Sequence, residues 1–171
     1  MRRTIALTLS LALLLFALPA GAKDLSGMWG VGFSKGFAPE GSGLSSVAVR
    51  YWIDRQLAVE FLGGFRLVDR DDGPDERFYN LGGRFLIKFV EEENLHAYGG
   101  GGLAWLRERR SGSSDNGVAA EAFAGVEYFF QGLPNLGFTG EVGLGLTDVG
   151  DRTTFGTSGE SFVNLGMRYY F

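Results

Sequence analysis

Segments in which apolar and polar residues alternate recur along most of the chain. The clearest is the last, in which apolar residues occupy every second position: Val163, Leu165, Met167, Tyr169 and Phe171. The intervening positions are small or polar, apart from Tyr170: Asn164, Gly166 and Arg168. A period of two with one apolar and one polar face predicts a β-strand that separates two different environments. An aromatic residue at the very end of such a strand is unusual in a soluble domain, where terminal residues fray in water.

The same alternation predicts eight strands, at about residues 29–35, 45–51, 56–68, 78–89, 95–107, 118–130, 136–147 and 163–171. The glycine-rich fifth segment shows no clear assignment of faces. The connections alternate between short ones, at 52–55, 90–94 and 131–135, and longer polar ones, at 36–43, 69–77, 108–117 and 148–159. If the strands form a transmembrane barrel, the longer connections are expected outside the cell and the short ones in the periplasm. All four longer connections are modest, so we expect neither a folded outer head nor protruding strands.

The N-terminal residues have the pattern of a secretory signal peptide. Arg2 and Arg3 precede an apolar run over 5–18, and the small-residue site Ala20-Gly21-Ala22 follows Pro19. This pattern predicts cleavage after Ala22, which leaves residues 23–171 as one domain. Removing 1–22 takes away two arginines and changes the formal net charge from −4 to −6. That acidity excludes nucleic acid as an expected partner. With no cysteine in the chain, disulfides and thiolate metal sites are excluded.

After the leader, no apolar stretch is long enough for a membrane-spanning helix. If the mature chain spans a membrane, it must do so with strands that close on themselves and so satisfy every backbone polar group. We therefore predict an all-β fold, an eight-stranded antiparallel transmembrane β-barrel. A soluble lipocalin-like barrel is the alternative, and it would turn its apolar residues inward. Aromatic rows on one face and single charges on the other favour the membrane barrel.

The last strand also carries a recognisable motif. Asn164, Gly166, Tyr169 and Phe171 match, position for position, the polar-x-Gly-x-x-aromatic-x-aromatic assembly signal of bacterial outer-membrane barrels. Over its mature length the chain resembles small barrels of the OmpA/OmpX type. The resemblance implies location in the bacterial outer membrane, contact with outer-membrane lipid, and recognition by the barrel-assembly machinery during biogenesis. We expect a monomer.

The predicted inward face of the barrel is rich in charge. It carries five bases and four acids: Arg50, Arg66, Arg84, Lys88, Arg168, Glu60, Glu121, Glu127 and Glu141. Eight strands leave an interior just wide enough for side chains, so we expect mutual ion pairing that fills the barrel. The favoured function is a non-enzymatic envelope protein that supports envelope integrity or surface interaction. A narrow ion or solute channel built from the same charges is the alternative.

An outer-membrane enzyme that acts on lipids is a more distant alternative. Such chemistry needs a base near the outer rim, but the one histidine, His96, follows a predicted periplasmic turn. We expect His96 to lie at the solvent edge or the membrane interface. The pattern indicates no catalytic residue, cofactor or metal site. A cluster at one outer strand end, Arg107, Arg109 and Arg110, is a candidate contact for lipopolysaccharide phosphates, because arginine suits phosphate geometry.

Overall fold

A computed structural model describes residues 23–37, 45–68, 76–110, 113–157 and 163–171. The predicted signal peptide, residues 1–22, lies outside the described residues. Nine strands are present in the described part of the chain: β1 (Trp29–Ser34), β2 (Ser46–Trp52), β3 (Leu57–Val68), β4 (Glu76–Glu91), β5 (Leu95–Arg110), β6 (Ser113–Phe129), β7 (Leu136–Val149), β8 (Arg152–Thr157) and β9 (Asn164–Tyr170). No helix in these ranges is long and apolar enough to cross a membrane.

The strands form one closed antiparallel barrel. Each strand from β1 to β7 pairs with the next along the chain, and β1 pairs with β9 to close the sheet. Both β8 and β9 pair with β7: β8 pairs with the part next to the expected outer loops, and β9 pairs with the part next to the expected periplasmic turns. We call these two ends of the barrel the outer end and the periplasmic end. Together they occupy the eighth position of the barrel. The prediction of an all-β, eight-stranded barrel is confirmed.

The two faces of the wall differ in the way that a membrane barrel requires. Large apolar side chains point outward and are exposed, as for Phe61, Leu81 and Leu144. The charged side chains of Arg50, Glu60 and others point inward and are buried. A soluble lipocalin-like barrel would show the opposite distribution. The structure also assigns the faces of β5, which the glycine-rich sequence left open: Leu103 and Trp105 point outward, whereas Ala104 and Leu106 point inward.

Strands β4, β5 and β6 are much longer than the membrane requires. β4, β5 and β6 contain 16, 16 and 17 residues, whereas about 9–11 suffice to cross a bilayer. The prediction of an outer loop at 108–117 is therefore wrong, because most of these residues belong to the β5–β6 hairpin. The expectation that no strands protrude is wrong for the same reason. Similarly, part of the expected loop at 148–159 forms β8. Both faces of a protruding hairpin contact water, so the sequence alternation ends before the backbone pairing does.

Candidate functional site in the barrel interior

The interior charges follow the strand register. Arg50 on β2, Glu60 on β3 and Arg84 on β4 are successive cross-strand partners. The same row continues through Gly102 on β5 to Glu121 on β6. Opposite charges directly across a strand pair attract each other. Gly102 leaves space for the arginine, since a Cβ built on it would come within 2.8 Å of the Arg84 side chain.

Glu60 is the residue on which the arginines converge. Its Oε2 lies 2.7 Å from Arg50 Nε and 2.6 Å from Arg168 Nη2, and its Oε1 lies 3.3 Å from Arg84 Nη1. All four side chains are 0% exposed. A buried carboxylate is stable only when its charge is compensated and its lone pairs accept hydrogen bonds. Three guanidinium groups supply both to Glu60.

Three further glutamates surround the same arginines. Glu141 accepts a hydrogen bond of 2.8 Å from Arg84 Nη1 and one of 2.6 Å from the Tyr98 hydroxyl. Glu127 lies 3.4 Å from Arg50 Nη1 and 3.3 Å from Arg168 Nη1, and the Tyr170 hydroxyl donates to it. Glu121 pairs with Arg84 Nε. The sequence pattern did not indicate either tyrosine, although the inward parity of Tyr170 could have done so.

The network, defined as the three arginines and four glutamates above, contains seven of the nine predicted interior residues. Lys88 and Arg66 stand apart from it. Lys88 pairs with Glu91 at 3.2 Å and lies over the Trp52 ring, 4.9 Å from its centroid. Arg66 lies on the inward face nearer the outer end of β3, is partly exposed, and pairs with no carboxylate in the described ranges.

Removing one tyrosine hydroxyl should weaken the barrel without removing any charge. We expect Tyr98→Phe to lower the free energy of unfolding by about 1.5–3 kcal/mol, because buried Glu141 loses a hydrogen bond to its charged carboxylate. Urea unfolding in lipid vesicles measures this change. Tyr128→Phe is the matched control, since Tyr128 points outward and is 40% exposed; its effect should stay within about 0.5 kcal/mol. Equal losses in both variants would contradict the assigned role of Tyr98.

An apolar layer covers the network on the outer side. It is built from Phe37 and five small or aliphatic residues that project from the strands: Ala48, Leu62, Ala104, Leu106 and Ala119. Phe37 follows β1 and turns inward with φ of 55°, a conformation that an aromatic residue adopts only at a cost of about 1–2 kcal/mol. It is 5% exposed, and its ring centroid lies 5.5 Å from Arg84 Cζ. No alternation extends to this residue, so the sequence offered no indication of its role.

A second apolar layer covers the network on the periplasmic side. It includes Leu25 from the segment before β1, together with Trp52, Leu86, Phe129 and others. His96 belongs to this layer and is 0% exposed, with its ring 5.3 Å from that of Phe129. The expectation of an edge or interfacial position for His96 is therefore wrong. His96 is buried because it occupies an inward-facing position on β5. The alternation could not reveal this position because the sequence that follows is glycine-rich.

The outer arginines lie on the other side of the wall. Arg107 and Arg109 point outward from β5 and are exposed. Arg110 ends β5, and its side chain lies outside the described part of the structure. The residues of the proposed assembly motif lie on both faces of β9. Asn164 and Gly166 point inward, whereas Tyr169 and Phe171 are exposed on the lipid-facing side. Among the described residues, no group of three or more potential metal ligands occurs.

The closed barrel, with apolar residues outside and charges inside, defines the class: the fold is that of the small eight-stranded outer-membrane barrels, as the resemblance of the sequence implied. A solved structure of similar fold is the N-terminal β-barrel domain of Pseudomonas aeruginosa OprF, with a TM-score of 0.52 and 16% identity over 87% of this chain and 100% of that one. Another match is Ail, the attachment invasion locus protein of Yersinia pestis, with a TM-score of 0.45 and 17% identity over 85% of this chain and 99% of that one. No family model and no curated protein sequence matches the chain.

Proposed function

We propose that this chain is a non-enzymatic integral protein of the bacterial outer membrane whose interior is sealed. Its role is to support envelope integrity or to present its outer hairpins for surface interaction. We further propose that residues 1–22 direct its export. The lipid-facing apolar wall and the fold shared with the N-terminal barrel domain of OprF support the proposed location.

The observation that carries the proposal is the order of layers inside the barrel. The seven network side chains lie between an outer apolar layer containing Phe37 and a periplasmic apolar layer containing Trp52. An ion that crosses the barrel would have to lose its water at both apolar layers and break buried ion pairs between them. Each of these steps costs several kcal/mol. Filling by side chains is also the expected state of an eight-stranded barrel.

The position of His96 supports the absence of catalysis. The ring is buried near the periplasmic end, 5.3 Å from the ring of Phe129, and in the described ranges no carboxylate accepts a hydrogen bond from it. A general base must reach the proton that it removes and needs a group that orients it. The interior glutamates have arginine partners and no exposure that would admit a lipid substrate. We therefore assign no catalytic residue and no cofactor.

Planar bilayer recordings test the sealed interior. We expect protein extracted from the outer membrane to show no conductance steps, with a general porin reconstituted in parallel as the positive control. The absence of steps supports the proposal only if the protein is folded. A folded barrel migrates faster than the unfolded chain in gels of unheated samples. Reproducible steps whose ion preference changes in Glu60→Gln would overturn the proposal and favour a channel lined by the network.

We also propose that the exposed aromatic residues of β9 act in assembly. Phe171 and Trp29 exchange two backbone hydrogen bonds of 2.9 and 3.0 Å, which align the end of β9 with the start of β1. Tyr169 and Phe171 face lipid on the same side of this strand. An extended segment with alternate exposed aromatic side chains suits recognition by strand addition. The barrel-assembly machinery is the proposed partner, and a monomer is the proposed final state.

A further inference from the structure

Three arginines form a compact group on the outward face of two neighbouring strands. Arg77 on β4 and Arg109 on β5 are direct cross-strand partners, and Arg107 is the partner of Tyr79 in the next outward row. All three arginines are exposed. We call Arg77, Arg107 and Arg109 the arginine patch. It lies at the end of the barrel opposite to Trp29 and Phe171.

The arginine patch brings three positive charges together on one surface. In the described ranges none of its members pairs with a carboxylate, and the polar contact of Arg107 Nε is with Ser114 Oγ at 3.2 Å. Glu108, which separates Arg107 from Arg109 along β5, belongs to the inward face and lies 3.6 Å from Arg152 Nη2. Like charges directly opposite on paired strands destabilise a sheet. An external anion bound there would remove that penalty.

The height of the arginine patch indicates where the anion lies. Tyr79 and Phe89 both lie on the outward face of β4 and are ten positions apart in the sequence. At a rise of about 3.4 Å per residue and a strand tilt near 40°, this distance is about 26 Å along the barrel axis. The apolar band of an outer-membrane barrel is about 25 Å tall. Arg77 is the next outward residue beyond this band and therefore reaches the lipid head groups.

The wall immediately below the arginine patch is apolar and well exposed. Tyr79 and Trp105 are 38% and 44% exposed, and Leu81 and Leu103 beneath them are 65% and 70% exposed. Leu81 and Trp105 are direct cross-strand partners, so this surface is continuous across β4 and β5. It offers an aromatic row at the interface and an aliphatic surface deeper in the membrane. The combined surface suits a lipid with an anionic head group.

We propose that the arginine patch binds the phosphates of one lipopolysaccharide molecule in the outer leaflet, with its acyl chains against Leu81, Leu103 and Trp105. The proposal rests on the proposed outer-membrane location. Three guanidinium groups exceed the single charge of a phosphodiester lipid, and they match a head group that carries two phosphates. Each planar guanidinium can donate two parallel hydrogen bonds to a phosphate.

The test uses the full chain, expressed in a Gram-negative host and extracted from its outer membrane in detergent. Native mass spectrometry counts bound lipopolysaccharide during titration with the intact lipid, with enzymatically dephosphorylated lipopolysaccharide and with phosphatidylglycerol. The variants are Arg77→Gln/Arg107→Gln/Arg109→Gln, Arg107→Gln alone, and Arg66→Gln as a matched single control on the inward face. Migration of unheated samples in gels checks that each variant is a folded barrel.

We expect the triple variant to bind intact lipopolysaccharide at least about tenfold more weakly, and Arg107→Gln to show a smaller loss in the same direction, since charge-assisted bonds are lost. Arg66→Gln should bind like the parent chain, and removal of the phosphates should weaken binding to the parent as much as the triple substitution does. Equal binding by parent and folded variants, or equal affinity for phosphatidylglycerol, would overturn the assignment. A parent chain that does not reach the outer membrane as a folded barrel would instead overturn the proposed function on which it rests.

Discussion

Replacing Arg84 with alanine is expected to lower the free energy of unfolding of the barrel by about 3–5 kcal/mol, because breaking a buried ion pair leaves an uncompensated charge. Arg84 contacts three carboxylates: Glu60 at 3.3 Å, Glu141 at 2.8 Å, and Glu121. Arg50 and Arg168 can compensate Glu60, but the shorter ion pair of Glu141 is with Arg84, at 2.8 Å against 3.6 Å from Arg50. A shortened side chain would also leave a void beneath the rings of Phe37 and Phe123.

Urea unfolding in lipid vesicles, followed by tryptophan fluorescence and by gel migration, measures this loss. Arg66→Ala is the matched control, since Arg66 also points inward but is partly exposed and has no carboxylate partner in the described ranges. Its removal should cost less than about 1 kcal/mol. A similar stability of both variants would show that the network contributes little. Selective conductance in folded Arg84→Ala protein would favour the channel instead of the sealed barrel.

Replacing Phe171 with alanine is expected to reduce the amount of folded barrel in the outer membrane about tenfold, which corresponds to roughly 1.4 kcal/mol of discrimination by the assembly machinery. The ring is 66% exposed on the lipid-facing side, so its loss removes little internal packing. The backbone hydrogen bonds with Trp29 are retained in the variant. Quantitative immunoblotting of outer-membrane fractions, with and without heating, measures the change.

Phe155→Ala is the control for this second prediction. Phe155 is also a lipid-side aromatic residue, 71% exposed, but it lies on β8 outside the proposed motif. We expect its substitution to leave the amount of folded barrel nearly unchanged. Refolding into detergent without cellular factors should give equal yields for both variants. If Phe171→Ala accumulates like Phe155→Ala in cells, the assembly role of the motif is wrong.

Alternation predicted the architecture wherever the two faces of a strand meet different environments. On β4, for example, Leu81, Phe85 and Ile87 face lipid, whereas Arg84 and Lys88 face the interior. This contrast is large enough to identify both the strand and its faces. On β5 the run from Gly99 to Gly102 has no side chains, so the pattern contained no information about its faces or about the burial of His96.

Above the apolar band the contrast disappears. The residues of β6 from Ser113 to Asn116 are all exposed, yet they pair with β5 in regular register. Most residues of β8 are likewise exposed, although they pair with β7 in regular register. Backbone hydrogen bonds hold these segments in the sheet. Such bonds form whatever the polarity of the side chains, so they cannot be inferred from the pattern of polar and apolar residues. For this reason the protruding hairpin and β8 could not be predicted from the pattern.

The composition of the interior could be predicted more fully than its geometry. Parity placed Arg50, Glu60 and Arg84 on one face, but their pairing depends on register, which single-strand patterns do not contain. Contacts across the barrel, such as that between Arg168 and Glu60, join residues far apart in the chain and depend on barrel closure. Phe37 enters the interior from beyond the end of β1, where no periodic rule applies.

The join between β1 and β9 sets the order in which the molecule can form. β5 and β6 are neighbours in the chain and share sixteen residue pairs, whereas β1 and β9 share four, between Gly30–Phe33 and Met167–Tyr170. Joining the ends of a long chain costs more entropy than forming a local hairpin, and non-local pairing slows folding. The long hairpins of β3 to β7 can therefore form early, while the β1–β9 join must await the strand that comes last among those described, β9. β9, which completes the cylinder, follows all the other strands along the chain, so a chain without it retains two open sheet edges.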